Sequence, residues 1–233
     1  MKNYSNKLLC FSPPIMLATF VLEIALAIYT VWRYKLNKVS RLVVAILVCL
    51  AVFQLAEYVV CEGAFGMSGA TWSRIGFVSI TLLPPLGLHL ATILAGKKRL
   101  GLLWGAYGTG VAFVLFFALA PAAITNHICQ GNYVIFGVAP GSLWLYIFFY
   151  YGWLIAATAL CFRWAAQHKV ASHRTALRAL AVGYLAFLLP TTAANLLDSS
   201  TMAGLPSIMC GFAVLLALAL VGWVLPSAQH ADT

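Results

Sequence analysis

Phe53–Arg99, FQLAEYVVCEGAFGMSGATWSRIGFVSITLLPPLGLHLATILAGKKR, decides the class of this chain. An apolar run carrying Gln54 and Glu57 ends in a short glycine-bearing turn with Cys61 and Glu62. A second apolar run carries Arg74, Ser79, Pro84, Pro85 and His89 and ends in the basic turn Lys97-Lys98-Arg99. At 1.5 Å per residue, about 20 apolar residues cross the roughly 30 Å of a bilayer's hydrocarbon, so this stretch reads as a pair of membrane-spanning helices with a tight turn between them. Ionisable side chains inside such spans are costly and face a protein interior or a watery cavity, which makes them the first place to look for function.

Working outward, the same character extends over the whole chain. Its 233 residues are 63% hydrophobic and 8% charged, with a mean hydropathy of +0.95. So little polar surface describes an integral membrane protein. Seven stretches qualify as spans, at residues 14–33, 42–60, 74–95, 102–120, 143–163, 178–198 and 206–225, and they predict an all-α, seven-transmembrane-helix bundle forming a single domain over residues 1–233. The net charge of +9 has an explanation other than nucleic-acid binding. Of the 14 Lys and Arg, only Lys2, Lys7 and Arg74 lie away from the connections after spans one, three and five. The positive-inside rule makes those connections cytoplasmic, the N-terminus external and the C-terminus cytoplasmic. Positive charges follow the first apolar run and no small-residue cleavage pattern appears, so the run reads as a retained span. Membrane lipids are expected partners and nucleic acid is not.

Polar residues within the spans supply the candidate site. Glu23 sits mid-span with Thr19 and Thr30 on its face; it is read as a hydrogen-bonding packing group or as part of a proton or polar path with His89. Gln54, Glu57 and Cys61 form one stripe on span two. Glu57 is the leading candidate, with an ion pair to Arg74 as the structural alternative. Thr191, Asn195 and Asp198 form a second stripe at similar depth on span six. Together, Glu57, Arg74, Ser79, Asn195 and Asp198 are expected to line an outer-half pocket. Pro84, Pro85 and Pro190 are expected hinges, since proline frees backbone carbonyls and bends helices. His89 is also read as a packing histidine. Neighbouring helix-end contacts are the alternative for Asp198.

Elsewhere the reading is plainer. The aromatic run Trp144, Tyr146, Phe148, Phe149, Tyr150, Tyr151 and Trp153 fits an interfacial belt and core better than a ligand cage. The long loop 121–142, with its apolar run from Tyr133 to Phe136, is either a lid or a connector. The basic stretch after span five fits a helical extension against anionic lipid. Span seven has no lysine, which removes a retinal Schiff base there. Cys61 and Cys129 form a disulfide if the outer side is oxidising, with Cys10 as a competing partner and free thiols as the other alternative. No spacing suggests a metal, and no cofactor is expected.

Phe53-Gln54 with Glu57, Trp72-Ser-Arg-Ile-Gly76, Leu83-Pro84-Pro85 with His89 and a basic turn, then Asn126-His127, Gly141, Trp144, Tyr151 and Pro190, resemble the seven-helix sensory region at the N-terminus of bacterial and archaeal membrane histidine kinases and diguanylate cyclases. The resemblance runs over most of the chain and implies a location in a bacterial or archaeal cytoplasmic membrane. It implies a ligand sensed within or outside the membrane and a shape change passed inward. It transfers no catalytic residues, and no kinase or cyclase domain follows before Thr233. The expectation is a sensor or receptor-like protein, not an enzyme, binding a small or lipidic ligand and signalling through a cytoplasmic or membrane partner. A small-solute transporter is the alternative. A lipid-modifying intramembrane enzyme and an assembly subunit rank below.

Overall fold

A computed structural model describes residues 12–63, 66–129, 133–139 and 141–229. It contains seven helices long and apolar enough to cross a membrane: α1 (Pro13–Arg33), α2 (Lys38–Glu62), α3 (Gly69–Leu94), α4 (Leu100–Leu119), α5 (Ser142–Gln167), α6 (Ala171–Leu197) and α7 (Leu205–Gln229). Between α4 and α5, strands β1 (Ile124–Cys129) and β2 (Val134–Val138) pair antiparallel, Cys129 opposite Val134. The 121–142 connection is thus a hairpin. Its sequence alternates where it matters, with Val134 and Phe136 of β2 buried and the intervening Ile135 less so.

Local chemistry fixes the helix ends. Pro13 and Pro14 open α1 where amides have no intrahelical acceptor. The Asn37 side chain accepts the Ser40 N–H at 2.9 Å and starts α2, while Gly63, at φ 72°, ends it in the left-handed conformation that costs glycine least. Ser68 Oγ accepts the Thr71 N–H at 3.2 Å and starts α3. The connections 34–37, 63–68, 95–99, 168–170 and 198–204 are too short to run the length of a helix, so successive helices alternate in direction. The hairpin returns to its origin through the Ala139 N–H to Ala123 carbonyl bond, 3.1 Å. Consequently the hairpin lies at one end of the bundle, and Arg33, Lys35, Lys38, Arg41, Lys97, Lys98, Arg99, Lys169 and Arg174 gather at the other.

Helices α2, α3 and α7 form the centre, with α1 and α4 at the periphery. Helix α1 lies along α2 and touches α7; α4 packs on α3 and α5; α6 bridges α5 and α7. Large apolar side chains such as Trp32, Trp104, Phe148 and Leu196 point outward, as a hydrocarbon surrounding requires. The aromatic run of α5 divides by helical period: Tyr146, Phe149 and Tyr150 turn inward while Trp144 and Phe148 face out. Beneath the hairpin, Phe136 packs edge-on against Phe77, ring centres 5.3 Å apart. Phe77 in turn meets Phe117 at 4.7 Å, and Phe117 meets Tyr146 at 5.1 Å. Aromatic pairs of this kind are worth about 0.5–1.5 kcal/mol each beyond area burial, and they seat the hairpin on the bundle.

The expected bend in α3 takes a particular form. The helix divides at Leu82 into Gly69–Thr81 and Leu83–Leu94, and Pro84 and Pro85 fall in the first turn of the second piece. There their missing N–H groups leave fewer amides without acceptors. Pro190, by contrast, lies inside α6, which continues past it to Leu197.

Candidate functional site

Three helices bring polar side chains together at the hairpin end of the bundle. Glu23 of α1 is wholly buried, and neither of its carboxyl oxygens has a hydrogen-bond partner. Thr19 and Thr30, on the same helix, are satisfied locally by the carbonyls of Ile15 and Leu26, at 3.0 and 2.8 Å. Gln54 and Glu57 of α2, one turn apart, are also buried; the Gln54 amide nitrogen and one Glu57 oxygen are without partners. Facing them is Ser207 of α7, which lines the same recess as Gln54 and Glu57. Cys210, one turn on, is within electrostatic reach of both glutamates, which also feel each other. A recess beside Gln54, Glu57, Ser207, Thr19 and Gly211 has room for about one water, roughly 10 Å³.

The cluster is wired to the cap. The Val134 amide of β2 donates to Ser207 Oγ at 3.1 Å, in a buried position, so the hairpin is bonded to a residue that lines the recess beside Glu57. Cys61, at the end of α2, is bonded to Cys129 at the end of β1, with Cα atoms 5.8 Å apart. The hairpin is therefore held to α2 covalently and to α7 through Ser207. Cys10 lies outside the described residues. Ser207→Ala should leave the buried Val134 amide without its acceptor, at about 1–3 kcal/mol. Amide hydrogen exchange at Val134 should rise at least tenfold; unchanged exchange would remove Ser207 from the link.

The five residues expected to line an outer-half pocket are found in different local settings. Of them only Glu57 lines the recess. The Arg74 guanidinium reaches the Pro121 and Ala118 carbonyls, at 2.9 and 3.4 Å, and closes the end of α4. Carbonyls left open at a helix C-terminus attract a cation, and they draw Arg74 away from Glu57. Ser79 donates to the Ile75 carbonyl of its own helix at 2.9 Å. Asn195 accepts the Thr201 hydroxyl at 2.6 Å, while Asp198 ends α6 and its main-chain carbonyl takes the same hydroxyl at 2.7 Å. His89, expected on a polar path with Glu23, has its Nδ1 3.0 Å from the Tyr107 hydroxyl, joining α3 to α4. Among the described residues no group of three or more His, Cys, Asp or Glu is placed to hold a metal.

Gln54 belongs to the site as its place on the stripe of Glu57 suggested, whereas Ser207 and Cys210 join it although the stripe on span six drew attention elsewhere. Their one sequence signal was a short polar interruption just inside an apolar span, Pro206-Ser207. At the basic end, His173 Nδ1 lies 2.7 Å from the Leu94 carbonyl and ties the start of α6 to the end of α3. What the arrangement offers chemically is a buried pair of carboxyls on adjacent helices, with amide, hydroxyl and thiol neighbours. A change of charge on one is felt by the other and by α7. No protein-family model, curated protein or solved structure matches this chain.

Proposed function

We propose that this protein is a seven-helix membrane sensor. The hairpin cap receives the stimulus on the outer side, the Glu23–Gln54–Glu57–Ser207 cluster passes it across the α1–α2–α7 contact, and the basic cytoplasmic end presents it to a partner protein. The observation that carries this reading is the bond from the Val134 amide to Ser207 Oγ, whose residue lines one recess with Glu57, so that the hairpin cap touches the surroundings of a buried carboxyl. The break of α3 at Leu82 and the His173 link to Leu94 offer a route onward. The positive-inside rule supports the orientation, and the resemblance to kinase and cyclase sensory regions supports both the location in a bacterial or archaeal inner membrane and the signalling role.

Hydrogen exchange on the protein in lipid nanodiscs tests the coupling. Glu57→Gln keeps shape while removing the titratable group, and it should alter amide exchange at 94–99 and 168–174 by at least threefold although those residues lie at the far end of the bundle. An effect confined to the cluster would sink the sensor reading. Proton-coupled transport of a small solute is the second reading, favoured by the unpartnered oxygens of Glu23. Dye-loaded vesicles that acidify with the wild type and not with Glu23→Gln would replace the first reading with the second.

A further inference from the structure

We propose that the surface groove between α1 and α2 is a binding site for one anionic diacyl phospholipid, its acyl chain in the groove and its phosphate at the basic turn around residues 33–41. The groove has a volume of about 590 Å³ and is lined by Ile24, Ile28, Val31 and Trp32 of α1 and Val44 and Val48 of α2. On α1 these residues stand at i, i+4, i+7 and i+8, one continuous stripe about 12 Å long at 1.5 Å per residue. The lining is wholly apolar and its volume falls in the range of ligand pockets, roughly 300–1,000 Å³.

What selects the occupant is the charge at one end. The stripe runs into Trp32, 83% exposed, and directly beyond it Arg33, Lys35, Lys38 and Arg41 are all exposed on the α1–α2 connection. No acidic residue lies in the first turn of α2 to offset them. Arg33 keeps its guanidinium over the Tyr34 ring, 5.8 Å from the centroid, and Arg41 Nε donates to the Leu36 carbonyl at 3.0 Å, so both cations are held at the mouth of the groove. An indole at the boundary, cations outside it and an apolar trough inside match the order of parts in a phospholipid: headgroup, glycerol, acyl chain. At the basic connection between α5 and α6, by contrast, His173 folds back onto the Leu94 carbonyl and its ring stacks on His168, 4.9 Å between centres. The proposal rests on the helices lying in a bilayer and is independent of the sensor reading.

The test is native mass spectrometry of the full chain released from nanodiscs of equimolar dioleoyl phosphatidylglycerol and dioleoyl phosphatidylcholine. The wild type should retain one phosphatidylglycerol in preference to phosphatidylcholine. Removing two surface charges in Lys35→Gln/Lys38→Gln should reduce that preference about thirtyfold. Val48→Trp, which fills the groove from an exposed position, should lower retention of both lipids, and added glycerol phosphate should displace neither. The site is overturned if the preference survives the lysine double variant, if Lys169→Gln/Arg174→Gln removes it instead, if Val48→Trp changes nothing, or if glycerol phosphate competes. All the substituted positions are exposed, so each variant is expected to fold, and a thermal melt checks this before lipids are counted.

Discussion

Gly87→Ala should cost the folded protein about 2–3 kcal/mol, and Tyr184→Phe should recover about half of that loss. Gly87 lies on the second piece of α3, against the Tyr184 ring of α6; a Cβ there would overlap the hydroxyl and stand 3.1 Å from Cζ and 3.4 Å from Cε1. The ring has little room to withdraw, since it is 2% exposed and packs edge-on against Phe187 at 6.3 Å. Overpacking a filled interior costs about 1–3 kcal/mol. Removing the hydroxyl leaves only contacts that yield by a few tenths of an ångström, so a double-mutant cycle should show a coupling of about 1 kcal/mol or more. Tyr184→Phe alone should be neutral or mildly stabilising, because the hydroxyl is buried without a partner. Denaturant titration in mixed micelles measures all three variants. A neutral Gly87→Ala would mean that α3 and α6 separate easily where the prolines loosen α3.

Breaking the Cys61–Cys129 bond should lower stability by about 2–3 kcal/mol and unlatch the cap. The two cysteines are 68 positions apart, and the chain-entropy argument gives about 4 kcal/mol for a loop of that length. Here α3 and α4 lie inside the loop and remain helical when tertiary contacts are lost in a bilayer, so the unfolded chain has less freedom for the bond to remove. The local effect should be larger than the global one. In Cys129→Ser, or after reduction of the wild type, amide exchange should rise across 124–138 while the α2 and α3 cores stay protected. Val134 should respond least, since Ser207 still holds it. If reduction shifts neither the unfolding midpoint nor the exchange of the hairpin, the latch carries no load.

Span count and class were legible because a bilayer imposes one simple demand, about 20 apolar residues per crossing, and the seven helices overlap the seven stretches read from hydropathy. The helices extend further at several ends, for instance α2 back to Lys38 and α6 back to Ala171, because caps and backbone bonds continue a helix into polar residues that hydropathy discounts. Glu57 and Glu23 stood out as carboxyls inside apolar runs. Gln54 shared the stripe of Glu57, while Ser207 and Cys210 did not stand out. Which of the stripes on α2, α6 and α7 face one another depends on helix rotation and on the hairpin, and neither leaves a trace in periodicity. Ser207 illustrates this: its place in the site comes from the Val134 amide, 73 positions away. Arg74 shows the converse, a charge at a plausible depth claimed by the open carbonyls of Ala118 and Pro121.

The disulfide also sets an order of manufacture. In the proposed orientation, and where the outer side is oxidising, both cysteines can pair once Cys129 is translocated, while Ser207 is still to be synthesised. At about 5–20 residues per second the ribosome takes roughly 4–16 s to cover that distance. Thiol oxidation spans seconds to hours, so an enzyme that catalyses it decides whether the cap is closed before α7 arrives. A closed cap presents the Val134 amide as a ready docking point for the incoming helix. In a cell poor in such an enzyme, α7 has to find its seat against an open flap, and the yield of correctly assembled protein would then depend on the redox state of its surroundings more than on its own sequence.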